Sequence, residues 1–316
     1  MNATPSHAPR ILITGATGLL GRPVLRACAA VPAWRVTGTS FRRTGPGIER
    51  IDLSQTGQIP AFLDRLAPDV IIHSAAERRP DVSEKDPAGT QRLNVGATDT
   101  LAQWAAARRA FLIYISSDYV FDGTTPPYTP SSKTHPINAY GQSKLDGEHA
   151  VRAAGLDSAI LRVPILYGEV ESLDESPVTV LAQNMMNARP GERLAMENWA
   201  TRYPTLTGDV AAVLRQMVAH KLTCPSFSGT FHWSGSEPMT KYDMACVFAR
   251  LLSFDSARLV PDNTPPAGAP RPKDCHLDSS ALEALGIGQR TPFASALPAI
   301  LAPHLRPGGA SPANAT

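Results

Sequence analysis

Long apolar runs are missing from this chain. No stretch approaches the roughly 20 residues that a membrane-crossing helix needs, so a helical membrane protein is not expected. Residues 1–9 are polar and contain proline. They lack the apolar core of a secretion signal and are expected to be disordered. Cysteine is scarce: Cys28, Cys224, Cys246 and Cys275 are scattered, with no Cys-x-x-Cys pair and no histidine at metal-ligand spacing. A disulfide scaffold and a zinc site are therefore not expected, and reduced thiols in a cytoplasmic protein are. An excess of one charge is also missing. Lys and Arg number 30 against 28 Asp and Glu, a formal net charge of +2, which makes no case for nucleic acid or a membrane surface as partner. Asn2-Ala-Thr and Asn314-Ala-Thr match glycosylation acceptors, but without a secretion signal they read as chance. No internal repeat is visible.

What is present is an apolar fraction of 43% over 316 residues, enough for one large α/β unit or two coupled lobes. The stretch Arg10-Ile-Leu-Ile-Thr-Gly-Ala-Thr-Gly-Leu-Leu-Gly21 is the most informative part. It reads as strand, tight turn and helix, with Gly15, Gly18 and Gly21 at three-residue steps and an amphipathic run, Pro23 to Ala30, behind them. Gly15 and Gly18 would let the backbone approach a pyrophosphate, and Gly21 would let the helix pack closely on the strand. The positive end of the helix dipole favours the anion. A lone glycine triplet is weak, because such turns also serve plain strand-to-helix packing.

Strand-like runs follow at Arg35–Thr39, Val70–His73, Phe111–Ser116 and Ser158–Arg162. Helix-like runs lie between them, notably Thr98–Arg108 and Tyr140–Ala154. The alternation predicts an α/β protein, a Rossmann-type doubly wound parallel sheet covered on both faces, with a smaller C-terminal substrate-side lobe. Asp122–Pro136, rich in Pro, Thr and Ser, is expected to be a surface loop. Beyond Pro164 the pattern loosens. Val178–Ala188, Asp209–His220 and Lys241–Leu252 read as helices, the last with Thr240 and Asp243 spaced as a capping box. Phe231–Ser234 reads as a short strand. The expected division is a dinucleotide domain at 10–163, a lobe at 164–305 interleaved with the sheet, and a disordered tail at 306–316.

Folds that prefer NAD place an acidic residue about 20 positions past the glycines, where it accepts hydrogen bonds from the adenosine ribose. Here that place reads Gly38-Thr-Ser-Phe-Arg-Arg43, without a carboxylate and with two arginines. A guanidinium pair suits a 2′-phosphate, so NADP is the expected cofactor. A merely solvated turn is the bland alternative for Arg42 and Arg43. Further on, Ser116-Ser117 closes a strand, and Tyr140 and Lys144 stand four apart on one helix face. An ammonium beside a phenol would lower its pKa from about 10 and suit it to donate a proton to a carbonyl receiving hydride. Ser117 would orient that carbonyl. Alone, Tyr-x-x-x-Lys is frequent by chance; downstream of the glycine turn and the Ser-Ser strand end it is strong.

This trio resembles the extended short-chain dehydrogenase/reductase superfamily, which implies catalytic roles for Ser117, Tyr140 and Lys144. Ser116-Ser-Asp-Tyr-Val-Phe121 is similar to the matching segment of the reductases of dTDP-4-dehydrorhamnose. More of the chain resembles an offshoot of those reductases, the regulatory β subunits of methionine adenosyltransferase. The pieces span Arg10 to Phe293: TGATGLLGR, Phe41-Arg-Arg43, AAERRPDV from Ala75, FLIYISSDYVFDGT from Phe111, Leu145-Asp-Gly-Glu148, PILYGEVE from Pro164, Arg202-Tyr-Pro-Thr205, GTFHWSG from Gly229, MTKYDMAC from Met239 and LGIGQRTPF from Leu285. The resemblance implies NADP contacts from Thr17, Gly18, Leu19 and Leu20, from Phe41, Arg42 and Arg43, from Asp52 and Leu53, and from Ser74, Arg78, Tyr140, Lys144 and Leu166. It implies a regulator of S-adenosylmethionine synthesis that associates with the catalytic subunit, and as an alternative an NADPH-dependent reductase of a nucleotide-linked 4-keto sugar. The family docks through its C-terminal tail; here the chain after Phe293 departs from the family's aromatic, basic end.

Val163-Pro-Ile-Leu-Tyr-Gly168 stands where the rhamnose reductases carry a Thr-Ser-Trp type sequence. Pro164 and Ile165 supply neither indole nor hydroxyls, and each missing hydrogen bond to sugar is worth roughly 0.5–1.5 kcal/mol. Five further readings stay open or bland. Glu77-Arg78-Arg79 could face an anion or form an exposed network with Asp81 and Glu84. His232 and Trp233 read as core, and Met185 and Met186 as packing. Trp199 and Tyr203 could lie over the substrate side or simply close the lobe, and Arg271-Pro272 is equally a cleft wall or a solvated loop.

Overall fold

The computed structural model describes residues 7–155 and 157–305; residues 1–6, the tail 306–316 and both glycosylation matches lie outside the described residues. The strands are β1 (Arg10–Thr14), β2 (Arg35–Ser40), β3 (Ile48–Arg50), β4 (Val70–His73), β5 (Phe111–Ser117), β6 (Ser158–Val163), β7 (Leu166–Tyr167), β8 (Leu194–Glu197), β9 (Thr205–Leu206), β10 (Gly229–His232) and β11 (Leu259–Asp262). The helices are α1 (Gly21–Ala29), α2 (Ile59–Leu66), α3 (Pro80–Lys85), α4 (Pro87–Gln91), α5 (Ala97–Arg108), α6 (Ala139–Ala153), α7 (Val180–Asn187), α8 (Thr207–Thr223), α9 (Lys241–Leu252), α10 (Ser280–Glu283) and α11 (Phe293–Leu301).

Seven strands form the central sheet in the order β10-β6-β5-β4-β1-β2-β3. Every pairing is parallel. The chain enters at β1, runs out to β3, then returns to β4 on the other side of β1. That reversal opens a crevice at the carboxyl ends of β1 and β4, where ligands of such sheets bind. All residues of β4 and β5 are buried, because helices cover both faces of a parallel sheet and leave no polar side. One face packs Ile11, Ile13, Ile72 and Ile113 against Val24 and Cys28 of α1 and Val210, Leu214 and Met217 of α8. The other packs Leu12, Ile71 and Leu112 against Leu63 of α2 and Leu101 and Trp104 of α5.

A separate core joins α7, α9 and α11 around Leu181, Met185, Met244, Phe248, Phe293 and Leu297. Its two short sheets pair β8 with β11 and β7 with β9. The later half of the chain also completes the central sheet, since β10 lies at its edge beside β6 and α8 packs on α1. The predicted elements appear, Val70–His73 and Lys241–Leu252 with the expected bounds and the others with ends displaced by at most three residues. The strand expected at Phe231–Ser234 begins at Gly229 and ends at His232, although Trp233 N–H still reaches the Arg162 carbonyl at 3.0 Å. The Thr240–Asp243 capping box forms in both directions. The Asp122–Pro136 segment has no helix or strand but is pinned by Tyr128, buried and stacked on Phe121 with ring centroids 4.1 Å apart.

Candidate functional site

At the crevice the turn after β1 is shaped by its glycines. Gly15 adopts φ +67°, the left-handed region where a side chain is strained. A Cβ on Gly21 would lie 2.0 Å from the Gly15 carbonyl oxygen, so α1 can start this close to the turn only with glycine there. Gly18 N–H folds back on Gly15 at 3.0 Å. Thr14, at the end of β1, ties the turn to β4: its hydroxyl meets His73 at 2.7 Å, and its carbonyl accepts from the Ser74 hydroxyl at 2.6 Å. His73 is fully buried between Thr14 and Thr98, and burial pushes its pKa down to about 3.

The second wall comes from β5 and α6. Asn138 caps α6 by accepting from Gly141 N–H at 2.7 Å. Glycines then press the helix onto the strand. A Cβ on Gly141 would sit 2.2 Å from the Tyr119 carbonyl oxygen, and one on Gly147 would sit 2.2 Å from the Tyr114 hydroxyl. One turn beyond Lys144, Glu148 is buried and bonds Ser116 of β5 at 2.6 Å and Arg162 of β6 at 2.7 and 2.8 Å. This buried ion pair locks the helix that carries Tyr140 and Lys144 to the strand that carries Ser117.

Ser117, Tyr140 and Lys144 all line one cleft of about 870 Å³. Burial pushes the Tyr140 phenol well up; the Ser117 hydroxyl and the more distant Arg78 act in the opposite direction. Lys144 is pushed down to about 7 by burial, with Glu148 opposing, and its Nζ lies 4.1 Å from the centre of the Tyr114 ring. The phenol lowered by its lysine, expected from the sequence, is thus not what this geometry produces: desolvation is the larger effect. Asp118, which no sequence motif singles out, is raised to about 7 by burial and accepts from the Ser117 hydroxyl at 3.0 Å.

Gly15, Thr17, Gly18, Leu19, Leu20, Gly21, Phe41, Asp52, Leu53, Ser74, Arg78 and Leu166 line the same cleft. Arg42 and Arg43 do not; they are exposed at its rim. Arg42 leans over the Phe41 ring at 5.4 Å, and Arg43 grips Glu171 with both outer nitrogens at 2.6 and 2.7 Å. Ser40 does line it and accepts from Arg43 N–H at 2.9 Å. At the far end the cleft meets the second lobe in Arg202, Lys241 and Arg271, and Arg202 is paired with Glu197 at 3.1 Å. Arg271 stands in the wall, paired with Asp81 at 2.6 Å. Val163, Pro164, Ile165 and Leu166 give the cleft an apolar edge.

The open readings divide. Arg79 pairs with Glu77 at 2.7 Å, whereas Arg78 donates to the Glu175 carbonyl at 2.5 Å. His232 and Trp233 are buried in the core, as expected. Tyr203 stacks on His276 with ring centroids 4.3 Å apart, closing the lobe. Met185 packs in the core, but Met186 is 44% exposed, so the packing expectation fails for it. Among the described residues there is no group of His, Cys, Asp and Glu able to hold a metal ion, and no helix long and apolar enough to cross a membrane. The cleft fits an extended dinucleotide: a glycine cradle that side chains would fill lies at one end, and a Ser-Tyr-Lys group lies further along.

Residues 9–305 match the family described as RmlD substrate binding domain. The chain is 50% identical over 297 residues to methionine adenosyltransferase 2 subunit beta of Mus musculus, covering 94% of this chain and 88% of that protein. Among solved structures it is similar to a dTDP-4-dehydrorhamnose reductase from Clostridium acetobutylicum, with a TM-score of 0.81, 27% identity, and coverage of 93% and 99% of the two chains. The same fold recurs in the dTDP-4-dehydrorhamnose reductase of Bacillus anthracis, solved in complex with NADP, at a TM-score of 0.78 and 24% identity, covering 96% and 100%.

Proposed function

The chain belongs to the RmlD substrate binding domain family and, within it, to the methionine adenosyltransferase 2 subunit beta family, and on that premise we propose that it is an NADP-binding regulatory subunit of methionine adenosyltransferase that modulates S-adenosylmethionine synthesis. The observation that carries this reading is identity of 50% sustained over nearly the whole chain, against 27% for the reductase structure. NADP is favoured over NAD because the end of β2 carries arginines and no carboxylate. In this reading the turn from Gly15 to Gly21 holds the pyrophosphate, Phe41 to Arg43 hold the adenosine end, Asp52, Leu53, Ser74, Arg78 and Leu166 line the bound molecule, and Tyr140 and Lys144 meet its nicotinamide ribose. The expected division into a cofactor domain at 10–163 and a partner-facing lobe at 164–305 is part of the proposal, as is a cytoplasmic location. The test is co-elution with the host's catalytic subunit on size exclusion. A stable complex at micromolar concentration is expected, and separate elution would overturn the partnership.

A second reading, an NADPH-dependent reductase of a nucleotide-linked 4-keto sugar, is favoured by one observation: Ser117, Tyr140 and Lys144 are all present in the cleft. NADPH when bound would supply a hydride to the substrate carbonyl. The Tyr140 hydroxyl would give that oxygen its proton, the Ser117 hydroxyl would orient it, and Lys144 would favour the phenolate left behind. NADPH oxidation that requires a dTDP-, UDP- or GDP-linked 4-keto sugar and vanishes in Tyr140→Phe is the expected outcome. Absence of turnover with all three removes the reading.

A further inference from the structure

The segment Glu169–Glu175, which leads from β7 towards α7, is tied by its carboxylates to Arg22 and Arg26 of α1 and to Arg43 beyond β2. Glu175 takes both outer nitrogens of Arg22 at 2.7 and 2.8 Å, and the same guanidinium donates to the Thr17 carbonyl of the glycine turn at 2.9 Å. Arg78 fastens the far end through the Glu175 carbonyl. Glu171 reaches further, to Arg43 beyond the end of β2, and engages it through two parallel hydrogen bonds. The Arg43 guanidinium therefore already has a bidentate anionic partner supplied by this chain.

We propose that Glu171 is a specificity-determining residue that occupies the seat of the cofactor's 2′-phosphate. The inference rests on the NADP reading. A phosphate monoester and a carboxylate seek the same fork on Arg43, and two anions on one guanidinium repel each other. A 2′-phosphorylated dinucleotide must therefore take Arg43 from Glu171, while a dinucleotide with a free 2′-hydroxyl leaves the pair alone. Arg22, 3.9 Å from Glu171, is already held by Glu175, so the displaced carboxylate turns to solvent. The clasp is weak enough to open: Arg43 and Glu171 are 55% and 52% exposed, and exposed ion pairs are screened by water and salt. The residue thus trims discrimination in favour of NADP without abolishing it, and the binding of the 2′-phosphate unfastens one of the ties between the second lobe and the cofactor face.

The test uses the full chain and direct binding, by nicotinamide fluorescence and by calorimetry, with NADPH, NADH and adenosine 2′,5′-bisphosphate. Glu171→Gln should tighten NADPH and the bisphosphate about twofold to fivefold, the range set by an exposed ion pair, and leave NADH unchanged. The gain should shrink at high salt. Arg43→Ala serves as the companion variant and should weaken NADPH but not NADH. If Arg43→Ala leaves NADPH binding intact, the 2′-phosphate does not sit at Arg43, and the NADP reading of this end falls together with the clasp. If Arg43→Ala weakens NADPH while Glu171→Gln leaves the NADPH-to-NADH ratio unchanged, the clasp alone is overturned.

Discussion

Replacing Glu148 with alanine should unfold this protein early, and the reason lies in what stays behind. Glu148 is fully buried, and its two oxygens accept from Ser116, from Nε and Nη2 of Arg162 and from Arg152. Arg162 is 2% exposed. Its remaining neighbours are the Phe121 ring at 5.0 Å, the Pro130 carbonyl at 3.4 Å and the His232 ring nitrogen at 3.3 Å. None of these carries a negative charge. Truncating the carboxylate strands a guanidinium in the core, a loss of about 3–5 kcal/mol when one partner of a buried pair is removed. For a chain of this size about 2 °C of Tm accompanies each kcal/mol, so the melting temperature should fall by roughly 6–10 °C. The double variant Glu148→Leu with Arg162→Met removes both charges and should recover most of that loss, because a buried pair is worth little against an apolar replacement of similar volume. Urea unfolding and thermal melts of the single and double variants decide the matter. A single variant that loses less than about 1 kcal/mol, or a double variant no more stable than the single, would refute the account of Glu148 as the charge that makes Arg162 tolerable.

Stability should also fall on mild acidification. His73 and His232 are both pushed down to about 3 by burial, below the ordinary 6.5. Between those values the unfolded chain binds protons that the folded chain does not, so each histidine adds roughly 1.4 kcal/mol of stability per pH unit; Asp118, raised to about 7, acts in the opposite sense from about pH 4 to 7 and offsets one of the two, which leaves a net rise with pH. Urea midpoints measured from pH 4 to 7 should show this slope, and a flat profile would contradict it. Gly21→Ala should cost about 1–3 kcal/mol from overpacking against the Gly15 carbonyl, and should weaken NADPH binding while doing so. A melt and a cofactor titration that both match the parent would remove the close-approach argument.

Local patterns were legible in the sequence because the chemistry they encode is local. A strand followed by glycines at three-residue steps folds the same way wherever it occurs, and Gly15 and Gly21 meet within seven residues. Tyr140 and Lys144 share a helix face by geometry alone. What the sequence hid is set by pairings across the chain. The neighbours of Arg43 in sequence offer no acid, yet its partner Glu171 lies 128 residues away. Arg271 looked like an even choice between loop and cleft because Asp81, which fixes it in the wall, is 190 residues distant. The Tyr140 phenol was expected to be lowered because Lys144 is four residues off. Burial, which the four-residue spacing does not reveal, reverses the direction.

The same distinction bears on what this cleft has become. Ser117, Tyr140 and Lys144 can persist on local geometry, held by Gly141, Gly147 and Glu148 for reasons of packing that serve the fold whether or not a hydride is ever transferred. Retention of the trio is therefore weak support for catalysis. Recognition of a sugar would depend instead on hydrogen-bonding side chains along the cleft, and at its edge Pro164 is buried and Ile165 packs against the second core. The part of a reductase that the fold itself maintains is present. At Pro164 and Ile165 the cleft edge offers neither hydroxyl nor indole to a sugar, in keeping with the cofactor-binding subunit proposed above.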